Sequence, residues 1–167
     1  NTYKVWENVF AFALWVKIDV VSEGRIKENE IIFSRPDIST VVAYYKQNSK
    51  IYITLIKEFR SNVSNKDGYV IELPGGSTSS DSFTPSKIAQ HELVEETGLY
   101  IKDVERFKLC TVRQMAATFT TFKNHVYKVE LQEDEFNMLK EFADTKKVFG
   151  ENEEERTQLE IIEMNDI

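Results

Sequence analysis

This sequence has few cysteines and histidines, no net positive charge and no long apolar run. Each of these features excludes a class of protein. The 167 residues contain one cysteine, Cys110, so an intramolecular disulfide is impossible and a reducing compartment, the cytoplasm, is expected. Cys110 stands in an apolar strand pattern, which predicts a buried thiol rather than a nucleophile. His91 and His125 are the two histidines, too few to favour a histidine-based metal site.

The charge balance is acidic, with a formal net charge of −7 and a pI near 5.0. Sequence-independent nucleic-acid binding requires a basic surface, so no nucleic-acid partner is expected. No stretch approaches the roughly 18 consecutive apolar residues of a membrane-spanning helix, so no membrane span is expected either. A hydrophobic content of 41% supports one core, and we predict a single domain over residues 1–167.

β-Branched and aromatic runs predict strands on both sides of one central helix. Residues 3–20 form two such runs, and residues 41–45 and 51–56 are typical of a hairpin across 47–49. Further predicted segments are short strands at 31–33, 111–112, 126–129 and 158–162, and a second helix over 133–142. The pattern predicts an α+β fold, an α/β/α sandwich with a mixed sheet between helices.

The central helix carries three carboxylates, Glu92, Glu95 and Glu96, at positions i, i+3 and i+4. These positions share one helix face, with Cβ atoms roughly 5–6 Å apart. Bare carboxylates at that spacing repel one another, and their hard oxygen atoms suit Mg²⁺ or Mn²⁺ beside a phosphate-bearing substrate. The alternative is a solvated helix face, because clustered glutamate is common on protein surfaces.

Local signals bound this helix and the segment before it. Thr84 is a plausible N-cap, Pro85 suits the first helical position, and Gly98 suits the left-handed residue that ends a helix. The expected buried stripe consists of Ile88, Ala89, Leu93 and Val94. Residues 70–73 read as a strand and residues 74–76 as the turn that leaves it. The unit is therefore strand, glycine-containing loop and acidic helix.

Residues 75–99 resemble the signature box of the Nudix hydrolases, G-x5-E-x7-R-E-U-x-E-E-x-G-U, where U is a bulky aliphatic residue. The second half matches position by position at Glu92, Leu93, Glu95, Glu96, Gly98 and Leu99. In the first half His91 replaces the arginine, Phe83 replaces the first glutamate, and the loop is one residue longer. The family uses the arginine and that glutamate to hold loop and helix together, so one supporting pair is lost. Phe83 could brace the loop by packing, and His91 can still donate a hydrogen bond.

A second resemblance, to the ADP-ribose and nucleotide-sugar pyrophosphatase branch of that family, lies at residues 55–60 and 69–76. It implies an additional N-terminal antiparallel sheet over residues 1–40, a Nudix core over 41–167, and a homodimer. Substrate contacts are implied at Arg60 and Glu72, with Arg113 as a second phosphate clamp. The alternatives are a surface cation at a strand end for Arg60 and a plain loop cation for Arg113.

The resemblance implies hydrolysis of a nucleoside diphosphate linked to another group, ADP-ribose or another nucleotide sugar, with Mg²⁺ or Mn²⁺ as cofactor. Glu92, Glu95 and Glu96, with the carbonyl of Gly75 or Gly76, would hold the metal; Glu92 and Glu96 count as catalytic. The general base is expected on a late acidic loop, at Glu151, Glu153, Glu154 or, preferably, Glu155; the alternative is that this run is a solvated acidic loop. Alternatives are a nucleoside triphosphate or dinucleoside polyphosphate hydrolase, a non-catalytic nucleotide-binding module, and an acidic scaffold for protein contacts.

Overall fold

Two β-sheets and two α-helices form the part of the chain that the computed structural model describes, residues 2–5, 8–78, 82–150 and 155–164. The first sheet is antiparallel and comprises β1 (Thr2–Val5), β2 (Asn8–Val20) and β3 (Arg25–Ser34). It confirms the expected N-terminal antiparallel sheet, and β3 is much longer than the predicted segment at 31–33. Gly24 makes the turn between β2 and β3 with a positive φ of 60°.

The second sheet is mixed and contains eight strands in the described residues. They are β4 (Ile38–Gln47), β5 (Lys50–Phe59), β6 (Tyr69–Glu72), β7 (Gly75–Gly76), β8 (Lys108–Gln114), β9 (Lys123–Glu130), β10 (Val148–Phe149) and β11 (Thr157–Glu163). Their order is β10-β11-β5-β4-β9-β8, with β6 beside β5 and β7 beside β4. The β4–β9 pair is parallel and the other pairs are antiparallel, as a mixed sheet requires.

The hairpin of β4 and β5 closes through Asn48 and Ser49, which have φ values of 50° and 65°. Two consecutive left-handed residues match the right-handed twist of the flanking strands. The predicted hairpin is therefore confirmed, with a two-residue turn.

The first helix, α1 (Pro85–Thr97), has the predicted ends. The Thr84 hydroxyl accepts a hydrogen bond from the Lys87 N–H at 3.4 Å, and Pro85 occupies the first turn. Gly98 has a φ of 72° and donates its N–H to the Val94 carbonyl at 2.8 Å. The second helix, α2 (Glu133–Asp144), extends two residues beyond the predicted end.

Both helices pack on the same face of the mixed sheet. Val41 and Ala43 of β4 belong to a buried cluster that includes Leu93 of α1 and Leu139 of α2. Tyr45, which shares their face of β4, stacks on Phe136 of α2 with ring centroids 4.4 Å apart. The predicted placement of the sheet between helices is therefore not what the described residues show, although a mixed sheet with two helices is compatible with the α+β class.

Two predictions of burial need correction. Ala89 and Leu93 are buried in α1 as expected, but Ile88 and Val94 are only half-buried, and the third fully buried side chain is Thr97. The Thr97 hydroxyl is satisfied locally, because the Leu99 N–H donates to it at 3.2 Å. Cys110 is exposed on β8 rather than buried. No helix in the described ranges is both long and apolar enough to cross a membrane.

Candidate functional site

A cleft of about 720 Å³ opens where the acidic half of α1 faces the ends of β5, β6 and β7. β6 pairs with the end of β5, placing Glu72 opposite Ile56, and β7 pairs with the start of β4, placing Gly76 opposite Ser39. The titratable side chains that line the cleft are Arg35, Glu58, Arg60, Glu72, Glu92, Glu95, Glu96 and Glu155. Strand pairing thus brings together charged residues that lie far apart in the sequence.

Glu96 is held by contacts to both its carboxylate and its backbone. Its Oε2 accepts the Gly75 N–H at 2.7 Å, and its backbone carbonyl accepts the Thr157 hydroxyl at 2.9 Å. Burial raises the pKa of Glu96 to about 8; the Gly75 N–H opposes this rise, and Glu92, Glu58 and Glu72 add to it. Burial first, and the neighbouring carboxylates after it, therefore disfavour the ionised form of Glu96.

Glu92 lies directly against the glycine turn. A Cβ added to Gly76 would stand 2.6 Å from Glu92 Oε2, so the flexible end of the Glu92 side chain would have to shift to make room. With glycine at position 76, the carboxylate of α1 lies close to the backbone of β7. Glu95, one turn along the same helix face, has its Oε2 3.0 Å from His91 Nδ1.

Arg60 joins two carboxylates on the opposite wall. Its Nε and Nη2 donate to Glu72 Oε1 at 3.1 and 2.8 Å, and Nη2 lies 2.7 Å from Glu58 Oε2. Burial nevertheless raises the pKa of Glu58, with further contributions from Glu72 and Glu155 against the opposing effect of Arg60. The structure thus places the predicted Arg60 and Glu72 in the cleft, in contact with each other.

Arg35 is a cleft residue that the sequence analysis missed. Its Nη2 donates to the Ser77 hydroxyl at 2.5 Å, and its guanidinium lies 5.1 and 5.7 Å from the ring centroids of Phe10 and Phe122. Its Nε is buried without a hydrogen-bond partner among the described residues. Burial and the neighbouring Arg60 lower the pKa of Arg35. The sequence around it, Arg-Pro-Asp, indicated a chain break and nothing more.

The remaining predicted residues divide between the cleft and other places. Glu155 lines the cleft, whereas Glu151, Glu153 and Glu154 lie outside the described residues. Arg113 is exposed on β8, opposite Asn124, and the structure does not bring it to the cleft. Arg113 thus lies on the edge strand of the sheet and does not line the cleft where the predicted phosphate clamp would act.

The two substituted positions of the box contact each other. The rings of Phe83 and His91 meet edge to face, with centroids 6.1 Å apart and an interplanar angle of 71°. His91 also contacts Glu95, and both rings border a small cavity of about 160 Å³ beside the main cleft. An aromatic contact therefore links loop and helix where the resemblance implied a lost charged pair.

The donor set suits a hard divalent cation. Within the described ranges, no three side chains of Asp, Glu, His or Cys converge closely enough to form a complete metal site. The carboxylates nevertheless share one cleft, a glycine leaves room for Glu92 against the backbone, and burial holds the pKa of Glu96 at about 8. A divalent cation would relieve this excess of negative charge and favour the ionised form of Glu96.

Comparison with known protein families found no matching family model, and comparison with curated proteins found no significant match.

Proposed function

We propose that this chain is a Nudix-type pyrophosphohydrolase with a Nudix-like fold, dependent on Mg²⁺ or Mn²⁺. Its proposed substrate is a nucleoside diphosphate linked to another group, with ADP-ribose and other nucleotide sugars as first candidates. One observation carries the proposal: the partly buried carboxylate of Glu96, with a pKa of about 8, shares a cleft with Glu92 and with two arginines, Arg35 and Arg60. Such a cleft combines ligands for a cation with donors for phosphate oxygens.

Glu92, Glu95 and Glu96, with the Gly76 carbonyl, would hold the cation, which would neutralise the pyrophosphate and lower the pKa of an attacking water. The Gly75 N–H fixes the Glu96 carboxylate, and the Glu92 carboxylate lies against Gly76. Glu96 is therefore held by a backbone donor of β7, which lies outside the long loop before α1.

Two guanidinium groups would bind the phosphates. The guanidinium of Arg60 contacts the carboxylates of Glu72 and Glu58, so its orientation is set before a substrate binds. Arg35 has a buried Nε with no partner among the described residues, and an anionic oxygen would satisfy it. Both are more weakly hydrated than a lysine ammonium, which favours them at a half-buried phosphate site.

Glu155 is the proposed general base. It borders the same cleft as Glu96, two residues before β11, and its charge contributes to the raised pKa of Glu58. A carboxylate there could accept a proton from a water held between it and the α1 carboxylates.

Homodimerisation through the N-terminal sheet belongs to the same proposal. Trp15 on β2 and its cross-strand neighbour Ile31 on β3 are 77% and 55% exposed. Val21, in the turn between these strands, is 83% exposed. Large apolar side chains exposed together on one sheet are typical of a surface that another chain covers.

A second candidate function is nucleotide binding without catalysis. The observation that favours it is the altered first half of the box, where Phe83 and His91 make a ring contact instead of an ion pair. Such a module would bind the same ligands in the same cleft and release no product.

The test is product release from ADP-ribose, nucleotide sugars, dinucleoside polyphosphates and nucleoside triphosphates, with Mg²⁺ and with Mn²⁺. Glu96→Gln is the informative variant, because a glutamine oxygen can still accept the Gly75 N–H while the charge is lost. We expect metal-dependent turnover that falls by about a thousandfold or more in this variant. Glu141→Gln, on the exposed face of α2, is the matched control and should retain full activity.

The outcomes separate the candidates. Turnover that survives in Glu96→Gln would show that the site assignment is wrong. Saturable nucleotide binding without turnover in the wild-type chain would favour the non-catalytic module. Neither turnover nor binding with any of these ligands would contradict both.

A further inference from the structure

The mixed sheet has an open edge at β11. In the described part of the chain, β10 pairs with Thr157 and Gln158 and reaches no further along β11. Before β10, the N–H groups of Lys146 and Lys147 donate to the Ala143 and Phe142 carbonyls, which turns the chain back into the end of α2. Residues 159–163 are therefore paired with β5 on one side, while the described chain places no strand on the other.

A groove of about 420 Å³ follows this edge. Four consecutive residues of β11, 158–161, line it. Successive side chains of a strand point to opposite faces of the sheet, so a cavity bordered by all four must run along the strand's edge. Its other wall is α2, where Phe136, Lys140 and Ala143 follow the i, i+4, i+7 spacing of one helix face. The groove thus lies between an edge strand and a helix.

Lysine predominates among the charges of this groove. Lys57, Lys140 and Lys146 line it, together with the carboxylates Asp144 and Glu160. Within the described ranges, neither Lys140 nor Lys146 has a carboxylate at ion-pairing distance, and both are exposed. A net positive groove stands out on a chain whose overall charge is −7. Its charge is complementary to an acidic partner.

We propose that the β11–α2 groove binds an extended acidic segment of a partner protein by strand addition. The free edge of β11 would pair with the backbone of the incoming segment, which supplies affinity without regard to sequence. The apolar side chains of Tyr52 and Phe136 would contact alternate residues of that segment, and Lys140 and Lys146 would select acidic ones. This proposal is independent of the cleft and of the proposed hydrolase activity.

The probe is a displayed library of random peptides of about seven residues, the length of an ordinary strand, selected on the full chain. We expect enrichment of acidic side chains at alternate positions. Selected peptides should bind about tenfold or more weakly to the double variant Lys140→Glu/Lys146→Glu. Lys108→Glu/Lys128→Glu, a matched charge reversal at exposed lysines paired on β8 and β9, should bind them as the wild type does.

Amide hydrogen exchange distinguishes strand addition from simple attraction between opposite charges. Strand addition should slow exchange at residues 159–163 when a selected peptide binds, whereas attraction to surface lysines would leave it unchanged. The proposal is wrong if no peptides are enriched, if the two double variants bind equally, or if protection appears elsewhere. It is also wrong if residues 159–163 become protected with rising protein concentration alone, because a second copy of the chain would then occupy the edge.

Discussion

The two halves of α1 differ in what holds them. In the C-terminal half, Leu93 and Thr97 are fully buried, and Glu96 is fixed at its carboxylate by Gly75 and at its carbonyl by Thr157. In the N-terminal half, the His91 side chain is 57% exposed, and its ring partner Phe83 is 43% exposed. Strands therefore position the carboxylate half, while a loop of small polar residues flanks the other.

This difference indicates how the substitutions at Phe83 and His91 can leave the carboxylates of α1 in place. The contacts of Glu96 come from β7 and β11, and neither strand belongs to the loop that precedes α1. Phe83 contacts His91, and His91 contacts Glu95, so the two substituted residues are linked to the cleft through that carboxylate. Three predictions test this contrast.

The largest expected effect is on the stability of the metal-free protein. The pKa of Glu96 is about 8 in the folded chain and 4.5 ordinarily, so between these values the folded state keeps a proton that the unfolded chain has lost. The contribution of Glu96 to the free energy of unfolding must therefore fall as the pH rises from about 4.5 to about 8. Glu96→Gln removes the penalty and should be more stable than the wild type at pH 8, by at most about 5 kcal/mol.

The measurement is urea unfolding in the presence of a chelator at several pH values, with Glu141→Gln as control. The difference between Glu96→Gln and the wild type should be small near pH 5 and largest near pH 8. Added Mg²⁺ should raise the stability of the wild type at pH 8 and have little effect on the variant. A difference that does not depend on pH would show that burial in the cleft does not raise the pKa of Glu96.

The next largest expected effect concerns the two predicted arginines, Arg60 and Arg113, which differ in the same way. Arg60 contacts two cleft carboxylates, whereas Arg113 lies exposed on β8. Arg60→Ala should lower kcat/KM by about tenfold to a hundredfold, the value of one or two charge-assisted hydrogen bonds. Arg113→Ala should leave kcat/KM within about twofold. Steady-state kinetics on the best substrate checks both, and equal losses would mean that Arg113 reaches the substrate.

The features that the sequence predicts correctly depend on residues close together along the chain. The ends of α1 follow from Thr84 and Gly98, whose effects act within one helical turn. The acidic face follows from helical spacing, and the hairpin follows from the short polar segment between two apolar runs. Each of these predictions needed fewer than about ten residues of context.

The rest depended on strand pairing, which the sequence leaves open. Glu58 lies in the cleft because it shares a face with Ile56, and a shift of one residue would point it away. Arg35 reaches the cleft because Ser77 and two phenylalanine rings hold its guanidinium there. Arg113 was assigned to the cleft by resemblance, and the order of strands places β8 at the far edge instead.

The smallest expected effect is that of His91→Arg. An arginine there can still pair with Glu95 at i, i+4 and lie over the Phe83 ring, contacts worth about 0.5 kcal/mol each on an exposed helix face. We therefore expect kcat/KM to stay within about threefold of the wild type or to rise, and the melting temperature to change by a few degrees at most. His125→Arg serves as the comparison, since His125 contacts Asp37 at 3.0 Å and does not line the cleft. If His91→Arg loses most of its turnover while its melting temperature stays unchanged, His91 itself acts in the cleft. The half of α1 beside the loop would then matter to the chemistry as much as the half that the strands hold.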